Sequence, residues 1–459
     1  TIATSMKIRS YNEQQSTHST GILIVAEKKR CSCEQTTAAA PATSNCRQPE
    51  NVIVAKQHRR LGAMTPQIGC CRRIPKVLLG VLNSFQRRTV VFHASSQNNT
   101  GSLQFSCRRF HCSLCGKPCS MATKPSVIIS AFADEAANHR TALEQMTALA
   151  AIGIRHYSPR FIDVEGDGKI QHVVDLSPEQ YTRLKEYHAE YGVSVTSIGA
   201  RVGKIKLLDV DDGSHNAYIP ISEYLNGEVA KTIAAAKALD TKLIRGFSFY
   251  HPRGTKPEEH LDLAADQIRQ ITEACACEGL VYGLEIEPNL VGETGPLLAE
   301  LAKRIDHPNM VLIFDGGNVA AQNKNPVQVY EEYKATVPYL GWMHVKDYRI
   351  DPSLVWTGAV DEERLKNFVP ANEGDAGHEL VFRDLRVQLP AIKERLAKLG
   401  IPGFYLETEP HLKGGGQFGG FSGPDGMGVA VRALCSCLDY AGIDYTLRGF
   451  ADIRELRGF

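Results

Sequence analysis

The stretch LVYGLEIEPN (residues 280–289) decides the reading of this 459-residue chain. An apolar run that ends in two carboxylates and a proline reads as a buried strand that stops where the chain reaches a polar opening. A carboxylate there is costly to bury and is usually held by a cation or a metal. The sequence FYLETEPH (404–411) writes Glu-x-Glu-Pro after a second apolar run, so two strands deliver carboxylates to one shared site.

Outward from these two runs, short β-rich segments alternate with stretches of helical period from Pro125 onward. The segments are SVIISAF (126–132), IRHYS (154–158), VSVTSIG (193–199), KLIRGFSF (242–249), LVYGLEIE (280–287), MVLIFDGG (310–317), GWMHVKD (341–347) and GFYLETE (403–409). Helices are predicted between and after them over 138–152, with Leu143, Met146 and Leu149 on one face, then 178–191, 225–239, 257–278, with Ile268, Ile271 and Cys275 on one face, 294–305, 326–335, 384–399 and 425–440. Pro390 is expected to begin or kink the seventh helix. Eight strand-then-helix units predict an α/β fold closed as a (β/α)8 TIM barrel, because parallel strands need crossover helices and eight of them enclose a packed interior. A doubly wound open sheet is the alternative, and no G-x-G-x-x-G opening a helix supports it.

In a barrel of this kind the site forms at the C-terminal ends of the strands. The last four runs end in Glu285/Glu287, Asp315, His344 and Glu407/Glu409, an oxygen-rich set with one imidazole that suits one divalent cation, Mn2+, Mg2+, Co2+ or Zn2+. Residues two apart on a strand share a face, so all four glutamates are expected to point inward. The second of each pair lies nearer the opening. The expected ligands are therefore Glu287, Asp315, His344 and Glu409, with Glu285 and Glu407 as deeper groups that orient ligands or touch bound polar groups.

Composition divides the chain. Residues 1–120 hold 17 Lys/Arg against 4 Asp/Glu and nine of the thirteen cysteines, whereas residues 121–459 hold 35 Lys/Arg against 47 Asp/Glu. The basic part shows no sustained periodicity and reads as a disordered or non-native leader ahead of a barrel domain over 121–459. Two other readings compete for it: a transit peptide, for which it is long, and a zinc site at Cys112–Cys115, which lacks a second well-spaced pair. The pairs Cys275/Cys277 and Cys435/Cys437 form no disulfide framework, and a reducing cytoplasm is expected. No apolar run is long enough to cross a membrane.

The segments SAFADEA, GKIKLLD, RGFSFYHP, LEIEPN, FDGGN, MHVKD, ANEGD and LETEPHL, in this order from about Pro125 to about Tyr445, resemble the sugar phosphate isomerase/epimerase family of xylose isomerase-like barrels. The resemblance implies one divalent metal, a small sugar-like substrate, and two metal-bound glutamates that also move a proton. Carried onto this chain, the catalytic pair is Glu287 and Glu409. Candidate substrate contacts are Glu285, Asn318, Lys346, His251, Arg201 and His411; Arg160 could bind a phosphate or carboxylate, and Asp347 stands behind the site. Asn318 occupies the position where ketose 3-epimerases and AP endonucleases carry a His, and Arg201 the position where close relatives carry Ser-Pro. The implied activity is isomerisation or epimerisation of a sugar, sugar phosphate or polyol ketone through an enediolate. A lyase performing β-elimination on an oxo-sugar is the alternative, and an AP endonuclease-type enzyme is disfavoured by the acidic barrel, which offers no groove for nucleic acid. A non-catalytic binding barrel is the remaining class, and homo-oligomerisation is left open.

Overall fold

A computed structural model describes residues 5–10, 22–27, 124–361, 363–413 and 420–458. The chain forms two compact units, Thr1–Cys107 and Arg108–Phe459. In the first, Ser5–Ser10 and Ile22–Glu27 pair antiparallel, with Ser5 opposite Glu27 and Ser10 opposite Ile22. The β-rich run ILIVA supplies the second of these strands. The Cys112–Cys115 pair and the GGG of 414–416 lie outside the described residues.

In the second unit all eight predicted strands are present. They are β1 (Ile128–Ala131), β2 (His156–Tyr157), β3 (Ser194–Val195), β4 (Ser197–Val202), β5 (Leu243–Gly246), β6 (Val281–Glu285), β7 (Met310–Asp315), β8 (Leu340–Val345) and β9 (Tyr405–Thr408). There are nine because the third predicted run divides at Thr196. The sheet order is β3-β2-β1-β9-β8-β7-β6-β5-β4, parallel throughout. Its two outermost members are β3 and β4, which are consecutive in the chain, so the sheet closes through Thr196 and the open-sheet alternative falls.

Local signals set the helices. Ser177 and Gln180 form a capping box, Pro178 opens the helix Pro178–Tyr191, and Gly192 ends it in the left-handed conformation. Two expectations need correction. In the helix Ala142–Ala151 the buried face is Ala142, Met146 and Leu149, while Leu143 is exposed, because the helix starts at the Thr141 cap and turns that residue outward. Pro390 does not begin its helix, which runs from His378 to Lys398; Val381, Phe382 and Leu385 extend the buried stripe back past the proline.

The barrel interior is filled by side chains from alternate strand positions. Gly283 on β6 leaves room for the fully buried indole of Trp342 on β8. An added Cβ would overlap that ring. Gly283→Ala should lower the unfolding free energy by roughly 1–3 kcal/mol, the usual cost of overpacking a core; chemical denaturation checks it, and an unchanged midpoint would show that Trp342 can shift freely.

Burial also makes this domain acid-sensitive. Desolvation lowers His172 and His188 to about 4 from 6.5; the nearby positive charge of Arg201 adds to it at His172, and that of Lys185 at His188. Below pH 6.5 the unfolded chain takes up these protons first, so the contribution of these two residues to stability should be flat above 6.5 and fall toward pH 4 by on the order of 1.4 kcal/mol per pH unit for each His. His188→Gln should make the slope between pH 6.5 and 4 shallower. An identical slope in parent and variant would rule out a neutral buried His188.

Candidate metal centre and substrate cleft

Period two on β8 aims Trp342, His344 and, just past the strand, Lys346 to one side. On the two neighbouring strands the same rule aims Asp315 from one side and Glu407 and Glu409 from the other. Glu285 ends β6. One ligand atom from each of Glu285, Asp315, His344 and Glu409 lies within 4.8 Å of the others, and all four side chains are buried. Glu285 thus enters the group where the sequence reading expects Glu287. The reason is local: the carboxylate of Glu287 is drawn aside by Lys204, whose Nζ lies 2.7 Å from its Oε1.

The imidazole of His344 is fixed from both sides. Nδ1 lies 2.9 Å from Glu285 Oε1, and Nε2 faces Glu407 Oε2 at 3.3 Å. Glu407 in turn accepts a hydrogen bond from Ser158 Oγ at 2.7 Å, and Phe132 meets the ring edge-on. Glu407 thus lies behind the ring, in charge contact with Nε2. Asp315 caps the short helix Gly316–Ala320: its Oδ1 accepts from the Asn318 backbone N–H at 3.0 Å, leaving Oδ2 toward the cluster. Asn318 Nδ2 donates to the Ile286 carbonyl at 3.0 Å.

The donors fit a divalent ion. Glu285 Oε2 and Asp315 Oδ2 are buried without a hydrogen bond. Lys346 Nζ does lie 3.0 Å from Asp315 Oδ2, a charge contact that lacks hydrogen-bond directionality, and 2.8 Å from Glu409 Oε2. Positive charge is what this cluster draws in. Oxygen donors with one imidazole match Mn2+, Mg2+, Co2+ or Zn2+.

The electrostatics are a contest between burial and pairing. Burial pushes the Glu285 carboxyl up, but the charges of His344 and Arg245 outweigh it and hold it low. For Glu409 burial is again the largest influence, overcome by Lys346, His411 and Arg160, so it stays well below the carboxylate range. His344 is raised, burial notwithstanding, by the charge of Glu285. Asp315 and Glu287 go the other way: burial raises both, against the opposing charges of Lys346 and Lys204 respectively.

Above the cluster opens a cleft of about 610 Å3, solvent at its opening included. Of the predicted substrate contacts, Glu285, Asn318, Lys346 and His411 line it. His251 does not: it is stacked on His260 and held by Thr255. Arg201 is exposed away from it. Arg160 lines the cleft with its donors spent on Asp134, Glu135 and Glu409, the last at 2.5 Å. Lys204 and Arg245 also line it, and sequence reading missed both. Arg245 had a signal, a cation in the interior of the apolar run LIRGF (243–247). The motif residue Asn289 clamps one wall: it exchanges two hydrogen bonds with Val360, whose neighbours Leu365 and Phe368 face the cleft.

The sequence profile described as the xylose isomerase-like TIM barrel matches residues 147–411. A curated relative, 3-dehydroshikimate dehydratase of Bacillus anthracis, is 23% identical over 180 residues, 37% of this chain and 62% of that protein. The match thus spans under two thirds of the relative's length. A xylose isomerase-like TIM barrel protein from Mycobacterium smegmatis in complex with magnesium superposes with a TM-score of 0.46 at 17% identity, covering 70% of this chain and 97% of that one. D-psicose 3-epimerase with D-tagatose from Clostridium cellulolyticum H10 gives a TM-score of 0.43 at 13% identity, covering 69% and 98%.

Asp347 supports the opening from outside the cluster. Its carboxylate accepts backbone N–H groups of Tyr348, Asn372, Gly374 and Ala376 at 2.8–3.1 Å. Asp347→Asn turns one acceptor into a donor facing two of those N–H groups. It should cost about 2–4 kcal/mol, measured by urea unfolding, and leave metal affinity within a few-fold. A variant as stable as the parent would show that this carboxylate cage contributes nothing.

Proposed function

The chain belongs to the xylose isomerase-like TIM-barrel family, and we propose that within it this protein is a divalent-metal-dependent isomerase or epimerase. Its substrate is a sugar, sugar phosphate or related polyol ketone, and its chemistry is proton transfer on a carbon beside a carbonyl. The observation that carries this reading is the meeting of Glu285, Asp315, His344 and Glu409 from four successive sheet strands within 4.8 Å at the floor of a cleft. These four residues hold the ion. When bound, the ion supplies positive charge that stabilises negative charge developing on the substrate's oxygens.

The chain's own side chains do the rest. Glu409, kept ionised by Lys346, His411 and Arg160 against its burial, is suited to accept the proton. Glu287 lines the same cleft beside Lys204, and burial favours its protonated form, so it is suited to return a proton. Lys346 and Asn318 contact substrate oxygens, and the Val360, Leu365 and Phe368 wall limits water. The four described cysteines are free thiols, which supports a reducing, cytoplasmic setting.

A second reading, dehydration by β-elimination from an oxo-polyol, draws support from the dehydratase relative. It begins with the same proton removal and differs in product. Incubating the metal-loaded protein with ketoses and with 3-dehydroshikimate in deuterated water separates the two: deuterium incorporation with mass otherwise unchanged supports isomerase or epimerase chemistry, and loss of water supports the lyase.

The division of labour between the two glutamates of β6 and its extension is testable on the same assay. Glu285→Gln should weaken metal binding by about tenfold or more, as loss of a charged ligand does. Glu287→Gln should keep its metal while exchange of the carbon-bound hydrogen falls by roughly 10². The reverse pattern, metal lost with Glu287→Gln and kept with Glu285→Gln, would return the ligand role to Glu287. Full exchange in both, with metal absent from the parent, would end the proposal.

A further inference from the structure

Four cations line the cleft, and three of them make close ion pairs. Arg160 bonds Asp134, Glu135 and Glu409, Lys204 pairs with Glu287, and Lys346 pairs with Asp315 and Glu409. Arg245 is different. It stands on β5, paired in register with Gly283 of β6, and lines the cleft. Only 6% of it is exposed, and its Nε is buried with no partner. Nη1 comes no closer than 3.5 Å to Glu285 Oε2 and Glu409 Oε1, beyond the ordinary range of an N–H···O bond.

A buried guanidinium with unmade hydrogen bonds is expensive, and a fold keeps one where something else completes it. The rings of Phe132 and Phe247 lie 4.9 and 5.0 Å from its centre and hold the fork in place. Once Glu285 and Glu409 are engaged by a divalent ion, even the two long charge contacts of Arg245 are shared away. What remains is one planar, singly charged fork facing the substrate space.

We infer that Arg245 is a specificity-determining residue that binds a carboxylate of the substrate, so that the preferred substrate is an oxo-polyol acid rather than a neutral sugar. This rests on the reading of the cleft as the substrate site of a metal enzyme and narrows it. A carboxylate matches the fork with two parallel N–H···O bonds. It also matches the charge: Arg245 is the cleft cation its neighbours hold at the longest distance, and one guanidinium offers one positive charge to one carboxylate, whereas a phosphate brings nearly two negative charges.

The test is calorimetric binding of matched pairs to the metal-loaded full chain: shikimate against its methyl ester, D-galacturonate against its methyl ester, and inorganic phosphate alone. At least one acid should bind ten times tighter than its ester and tighter than phosphate. Arg245→Gln should erase that ratio at unchanged metal content. Should Arg245→Gln fail to fold, Arg245→Lys, which keeps the charge without the fork, should lose most of the ratio while retaining stability. No acid preference in the parent, a preference that survives both substitutions, or tighter binding of phosphate would each overturn the inference. Metal content, measured separately, tells the two readings apart: acid preference without bound metal sinks the metal enzyme and leaves Arg245 as an acid-binding residue, while bound metal without acid preference does the opposite.

Discussion

Everything at the opening of this barrel depends on the neutralisation of buried negative charge. Asp134, Glu135, Glu285, Asp315, Glu407 and Glu409 are each at most 3% exposed. Unpaired carboxylates so deep would take up protons or pull the strands apart. Two cations and an imidazole prevent this: Arg160 for the first two and Glu409, Lys346 for Asp315 and Glu409, and His344 between Glu285 and Glu407. Since these residues sit on separate strands, their pairing also fixes how the strand ends stand relative to each other around the opening. The same contacts that hold the fold together leave oxygen atoms of Glu285 and Asp315 unspent, and that residue of unmet demand is where chemistry has room.

The rest of the architecture serves this arrangement. Parallel registry brings Asp315 beside His344, and His344 beside Glu407. One step further along each strand the side chains reverse direction, so a slip of one residue in either pairing would turn the imidazole outward. Gly283 and Trp342 below the cluster lock the registry by shape, and Asp347 with its cage of backbone N–H groups ties down the segment after β8. Stability and site are one structure here.

The sequence made the barrel legible because each strand is a continuous apolar run and each helix carries its own cap and stripe. Strand-end residues were legible for the same reason: Asp315, His344 and Glu409 needed only the rule that polar groups at the end of a buried strand share an opening. Glu285 against Glu287 could not be decided that way. Period two says that both face inward and is silent about depth, and the choice is made by Lys204, a residue some eighty positions earlier that reaches across to Glu287. Closure within a single run at Thr196 was equally hidden, since a break in hydrogen bonding leaves no trace in apolarity.

Arg245 shows what such hidden contacts imply for function. An arginine within an apolar strand is conspicuous in the sequence, yet its meaning depends on what its neighbours leave undone. Beside Glu285 and Glu409 it looks like one more ion pair; at 3.5 Å, with Nε unpartnered and aromatic rings to either side, it is an incomplete one. Arg160, at a similar depth, spends its fork on three carboxylates and is complete. Two arginines of similar burial therefore do opposite work. One stabilises the empty protein, and the other holds donors in reserve at a cost to the empty protein that a bound acid would repay. That asymmetry gives the cleft a direction, with the cluster of carboxylates and imidazole on its floor, a charged fork on the β5 side, and the Val360 to Phe368 wall across its opening.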